Sequence, residues 1–138
     1  MLANAYAQYK NNAVETATPE ELTLMLYNGA LRFCNQAIEA IDNKDMTKAN
    51  EFIIKAQNII QEFRITLDRQ YEIALQLDRL YEYLHHRLIT ANIKKDKEIL
   101  TEVREHIRSM RDNWKEAMKI ARQQKATGIP SGLGKVEA

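Results

Sequence analysis

Between Gly29 and Gly128 the chain contains neither glycine nor proline. Hairpin turns depend on Gly, Asn and Asp at fixed places, and the period-2 alternation that such turns would join is missing as well. Three of the four glycines and both prolines sit at the margins instead. Gly128, Pro130, Gly132 and Gly134 fall in the last eleven residues, and Pro19 stands where a helix should begin. The fold class is therefore all-α. At 138 residues the chain fits one domain, large enough to bury a core without disulfide or metal staples.

The pattern along the chain divides into a leader over 1–17, a helical bundle over 18–125 and a flexible tail over 126–138. In the leader, Leu2, Tyr6, Tyr9 and Ala13 follow helical spacing, so it reads as a short amphipathic helix or an extended arm. Alone it is too short to be stable in water. Thr18-Pro19-Glu20-Glu21 places Thr at the N-cap, Pro at N1 and Glu at N3, a capping box that opens the first long helix. That helix should run to about Asn43. Its polar side chains, Glu21, Asn28, Arg32, Asn35, Gln36 and Glu39, fall within an arc of roughly 100°. The rest is largely apolar, with Leu22, Leu26, Phe33 and Ala37 on one side and Leu24, Tyr27, Leu31 and Ile38 on another. A surface helix shows the reverse proportion. Either this helix is the central one of the bundle, or part of it faces a groove.

After a turn at Asp42-Asn43-Lys44-Asp45, Met46, Ala49, Ile53, Ala56, Ile60, Phe63 and Leu67 alternate spacings of three and four, the seam of a bundle helix, with Phe52 and Ile59 widening it. A connection is expected near 68–72, because one continuous helix would be too long for a compact domain. The third helix should start near Glu72 with a seam of Ile73, Leu77, Leu80, Leu84, Leu88 and Ala91. Asn92-Ile93-Lys94-Lys95-Asp96 predicts the next turn, with Asp96 as N-cap. The fourth helix uses Leu100, Val103, Ile107, Met110, Trp114, Ala117 and Ala121, and Gly128 should stop it. Four helices with short connections imply an antiparallel four-helix bundle.

Charged residues make up 28% of the chain and balance to a formal +1, so no field gathers nucleic acid or anionic lipid. The single Cys34 has no internal disulfide partner, which suits a reducing cytoplasm. No basic-then-apolar leader and no apolar run of about 18 residues occurs, so neither general secretion nor membrane insertion is expected. Signs of chemistry are sparse. Glu82 and His85 have the Glu-x-x-His spacing of carboxylate-bridged di-iron bundles, but His106 follows Val103 and supplies no second pair. The adjacent His85 and His86 point about 100° apart and cannot share an ion. Phosphate loops, paired zinc cysteines and nucleophile elbows are missing, so the sequence indicates no enzyme, metal or cofactor. Six tyrosines remain. Tyr81 fits either a core edge or a groove, whereas Tyr6 and Tyr9, on a leader without a core, should pack against another apolar surface.

Several blocks carry a family resemblance: Ala5-Tyr6-Ala7-Gln8, then the unbroken run Asn12 to Ala30 containing Thr18-Pro19-Glu20-Glu21-Leu22-Thr23, Lys55 to Glu62, Leu80-Tyr81-Glu82-Tyr83-Leu84 with Arg87-Leu88 and Ala91-Asn92-Ile93, and Glu102-Val103, Arg111-Asp112 and Trp114-Lys115. Over about residues 5–120 the chain resembles the flagellar export chaperones for flagellin, the FliS family. One departure is the connection before the third helix, where many members carry Glu-Lys-Gly-Gly and this chain has Arg69-Gln70-Tyr71-Glu72. The resemblance implies a cytoplasmic chaperone that holds the disordered C-terminal segment of flagellin, prevents premature polymerisation and helps deliver it to the flagellar type III export gate. On that reading Leu24, Tyr27, Leu31 and Ile38 line a cargo groove with Ile73, Leu77 and Leu80. Leu2, Tyr6 and Tyr9 would cover apolar surface in the free protein or touch cargo. A structural homodimer, pairing the excess apolar face with itself, is the alternative.

Overall fold

The computed structural model describes residues 16–127. The leader positions Leu2, Tyr6 and Tyr9 and the tail from Gly128 onward lie outside the described residues. Four helices make up the fold: α1 (Pro19–Asp42), α2 (Met46–Thr66), α3 (Ile73–Lys94) and α4 (Lys97–Thr127). Each packs on its neighbours around a ring, α1 on α2, α2 on α3, α3 on α4 and α4 back on α1, so the bundle is an antiparallel square.

The helix starts follow from local chemistry. The Thr18 side-chain oxygen accepts from the Glu21 N–H at 3.2 Å, and its hydroxyl donates to the Glu21 carboxylate at 3.1 Å. Glu21 thus returns its bond to the cap hydroxyl, where the expected capping box would use the cap N–H. Asp45 caps α2 by accepting from the Lys48 N–H, and Asp96 caps α4 by accepting from the N–H groups of Glu98 and Ile99. Lys44 and Lys95, in the two tightest turns, adopt left-handed backbone angles with φ of 58° and 51°. The expected turn at 92–96 is shorter than its sequence suggests, since α3 continues to Lys94.

Polar pairs set the register between α1 and α4. Lys97 pairs with Asp42, Arg104 donates to the Asn35 side-chain carbonyl and Arg111 to that of Asn28. Both strips advance by seven residues, so one ladder runs up the seam at coiled-coil spacing. The Trp114 indole N–H continues it by donating to the Glu20 carbonyl at 3.0 Å.

The core runs the length of the bundle. Leu26, Ala30, Cys34 and Ala37 of α1 meet Ile53, Ala56, Ile60 and Phe63 of α2, with Leu84 and Leu88 of α3 and Leu100, Val103 and Ile107 of α4. Burial pushes the Cys34 thiol up to about 12, so it is an inert core residue. Two parts of the expected seams are corrected. Met46, at the exposed start of α2, lies outside the core. In the first half of α3 the buried positions are Ala74 and Tyr81, while Ile73 and Leu80 sit one residue off the core line. The slip arises because Tyr81, fully buried, stacks on Phe63 at 5.6 Å, and Phe63 packs on Tyr27 at 4.7 Å. That aromatic column draws α3 round by one position.

Among the described residues the Tyr81 hydroxyl has no hydrogen-bond partner. Burial pushes its pKa up, with the neighbouring Tyr27 hydroxyl adding to the shift, and removing it relieves an unsatisfied buried group. Tyr81→Phe is therefore expected to leave stability within about 1 kcal/mol of the parent or to raise it, whereas Leu84→Ala should cost about 2–5 kcal/mol. Urea unfolding of the two variants reads the difference.

At the α2–α3 junction Asp78 accepts from Arg64 at 2.9 Å and from Arg69 at 3.1 Å. The hydrogen bonds from these guanidiniums hold its carboxyl well below the usual range, at about 2. Since the folded pKa lies below the unfolded value of 3.8, this contribution is fully present above about pH 4. It is lost as pH falls towards 2. Acid titration of Asp78→Asn should show a shallower loss of stability than the parent across that window.

Candidate functional site

The residues expected to line a groove occupy different levels of the bundle. Tyr27 and Leu31 are buried, 4% and 6% exposed, and belong to the core. Leu24 and Ile38, also on α1, are half-buried and pack against the core edge. On α3, Leu77 and Leu80 are half-buried against the core, and Ile73 is 42% exposed. Because α1 and α3 are not neighbours in the ring, these residues do not form one groove between two helices. They fall on separate faces, joined through the core by the Tyr27, Phe63 and Tyr81 rings.

Leu24 opens onto a surface groove of about 560 Å³ between the start of α1 and the end of α4. Leu24 and Met118 supply its apolar part, and Lys115, Lys119 and Arg122 stand with Asp112 and Glu116 along it. This mixture suits an amphipathic segment better than a small polar ligand. Sequence periodicity placed Leu24 on an apolar side of α1. It gave no sign that α4 would be the opposite wall, because that pairing is long-range.

A second apolar surface surrounds the α2–α3 connection. Ile65 is 59% exposed and Leu75 is 58% exposed, and Ile73 lies between them in the chain. Sequence reading missed Ile65 and Leu75, which lie off the seams and show as single apolar residues in polar stretches. The ion pairs of Arg64 and Arg69 with Asp78, and of Arg64 with Glu82 at 3.5 Å, border this surface and hold the connection against α3.

Elsewhere the polar clusters serve packing. The Tyr83 hydroxyl and the Arg87 guanidinium both bond the Glu102 carboxylate, tying α3 to α4, and the Tyr83 bond is the larger cause of the lowered Glu102 pKa. His106 meets the Tyr83 ring edge-on at 6.1 Å. Glu82 and His85 bring no further ligands together: among the described residues no three His, Cys, Asp or Glu side chains converge as a metal site would need. Burial depresses the His85 pKa, with Arg64 and His86 adding to it. No helix among the described residues is long and apolar enough to cross a membrane.

Comparison with known proteins agrees with the resemblance read from the sequence. Residues 2–121 match the model of the family described as flagellar protein FliS. The chain is 48% identical over 122 residues to the flagellar secretion chaperone FliS of Bacillus subtilis, covering 88% of this chain and 92% of that one. It is 34% identical over 116 residues to the Salmonella typhimurium flagellar secretion chaperone FliS, covering 81% and 86%. The flagellar secretion chaperone FliSB of Pseudomonas aeruginosa is likewise 34% identical over 116 residues, covering 80% and 92%. With a matched span that takes in all four helices except the last six residues of α4, the chain belongs to the FliS family of flagellar proteins.

Proposed function

We propose that this protein is a cytoplasmic export chaperone that binds the C-terminal segment of flagellin, keeps it from polymerising early and helps bring it to the flagellar type III export gate. Its relatives are named flagellar secretion chaperones, and that kinship supports the general role. The observation that carries the finer reading is the placement of apolar surface on separate faces of the bundle. Leu24 opens one groove, while Ile73, Leu77 and Leu80 line the edge of α3.

A single short helix cannot touch all of these at once. A long segment that is disordered before binding can, by wrapping, and each apolar stretch it lays down is withdrawn from water. Ordering such a segment costs conformational entropy, so a large contact area spread over several faces is what a useful affinity demands. Tyr27 and Leu31 then act from beneath, as the packed wall that holds Leu24 and Ile38 in place. Leu2, Tyr6 and Tyr9 supply further apolar contacts, to the same surface in the free protein or to cargo when it is bound. A cover of that kind lowers the apparent affinity by the fraction of molecules that are open. The chemistry is binding alone, with no catalytic group, cofactor or metal assigned.

Leu24→Glu and Leu77→Glu should each weaken binding of a flagellin C-terminal peptide about tenfold while leaving the helical spectrum intact. Calorimetric titration reads the affinity, and folded variants that bind as tightly as the parent would displace those residues from the site. Deleting residues 1–14 tests the leader separately: an unchanged affinity would remove it from the binding reaction.

A further inference from the structure

The buried positions of α2 and α3 keep one phase across the connection that separates them. The central line of the buried α2 face is Ala49, Ile53, Ala56, Ile60 and Phe63, flanked by buried Ile59 and Glu62, and Leu67 follows at its end. From α3 it takes Ala74, Tyr81, Leu84, Leu88 and Ala91, with half-buried Leu77 between the first two. Counting through the turn, the steps alternate four and three without a fault from Ala49 to Ala91, and Gln70 is the only polar member. A connection one residue longer or shorter would set the two stripes about 100° apart. Folding back on itself does not require this agreement, whereas a continuous helix does.

The connection itself has no helix breaker. Leu67-Asp68-Arg69-Gln70-Tyr71-Glu72 contains neither Gly nor Pro, and Glu72 already has helical backbone angles. Besides the part-buried Arg64 pair with Asp78, what holds the bend is a small set of exposed contacts: Arg69 donates to the Arg64 carbonyl and to Asp78, and Asp68 accepts from the Gln70 N–H and side-chain amide. Beside the bend, Ile65, Ile73 and Leu75 stand in water with more than two-fifths of their surface open.

We propose that the 67–72 connection is an exchange hinge, and that the second partner of this chain is another copy of itself. When the hinge straightens, α2 and α3 join into one helix from Met46 to Lys94, about 70 Å long. The α1–α2 half of one copy then packs on the α3–α4 half of the other. The α1–α2 and α3–α4 contacts stay within each chain and the α2–α3 and α4–α1 contacts re-form between copies, so the exchange leaves most of the packing energy unchanged. The balance is decided at the hinge. The bend loses its Arg69 and Asp68 contacts, while the straight form gains helical hydrogen bonds and brings the exposed apolar groups of two hinges near each other. This dimer differs from one made by pressing apolar faces together, because each bundle in it draws helices from both chains.

The full-length chain, unfolded and refolded at high concentration, should yield a dimer that returns to monomer only slowly on dilution, as read by light scattering after size exclusion. Asn50 and Asn92 join α2 to α3 by a side-chain hydrogen bond of 2.7 Å, so Asn50→Cys with Asn92→Cys reports the connectivity. Oxidised monomer should carry the bridge within one chain, and oxidised dimer should run as a covalent dimer on a non-reducing gel. The variant Asp68→Ala with Arg69→Ala should raise the dimer fraction. Gln70→Gly should lower the dimer association constant about fivefold, since each dimer holds two straightened hinges. A protein that stays monomeric at every concentration, or a dimer whose bridges all lie within single chains, would overturn the proposal.

Discussion

Everything else in this bundle depends on α1 being packed on two sides. Its pairing with α2 is the most extensive in the fold, and its pairing with α4 is the next. Small residues make that possible. Gly29, Ala30, Cys34, Ala37 and Ala40 are all buried, and they form a wall against which Ile53, Ile60 and Phe63 can close. A glycine inside a helix costs up to about 1 kcal/mol relative to alanine, so the buried Gly29 lowers the intrinsic helicity of α1, and packing offsets that cost. The excess of apolar surface on α1 is first of all a consequence of carrying the two most extensive pairings in the ring.

The second consequence is a fixed register. Once α1 and α4 are locked by the Asp42, Asn35 and Asn28 ladder, the longer α4 reaches past the start of α1, and Met118 and Leu24 are left on either side of an open groove. The polar ladder stabilises the seam modestly, since two of its rungs are charge-to-amide bonds at a partly solvated surface. Its greater effect is selective. A shift of α4 by one turn towards the N-terminal end of α1 would set the Arg104 and Arg111 guanidiniums level with Leu31 and Leu24, and the groove would close or move with it.

Much of this was legible in the chain. The caps at Thr18 and Asp96, the turn at Asp42-Asn43-Lys44-Asp45 and the connection after Leu67 were written in local residue chemistry, which acts over three or four positions. The core phase of α3 was not. Ile73 and Leu80 are the more hydrophobic choices at their level, yet Ala74 and Tyr81 are the buried ones, because Phe63 of another helix offers a ring to stack on. Helical spacing also could not tell that α1 and α3 stand apart in the ring, and so grouped Leu24 and Ile38 with Ile73 and Leu77 on one groove. Periodicity reports which side of a helix is apolar. It is silent on which helix meets that side.

The separation of those surfaces bears on what kind of cargo the bundle suits. A folded partner presents one face and would use one groove, leaving the other apolar residues in water. A segment without structure of its own has no such limit. Each turn it makes around the bundle can place another apolar side chain on another face, and the entropy lost in ordering it is spread over the whole wrapped length. The rigidity of the chaperone matters for the same reason: a core closed by α1 on two sides contributes little ordering cost of its own, so the free energy of contact goes into shaping the guest. On the proposed reading, the small buried residues of α1 serve cargo binding indirectly, by making the surface that the cargo must follow stiff.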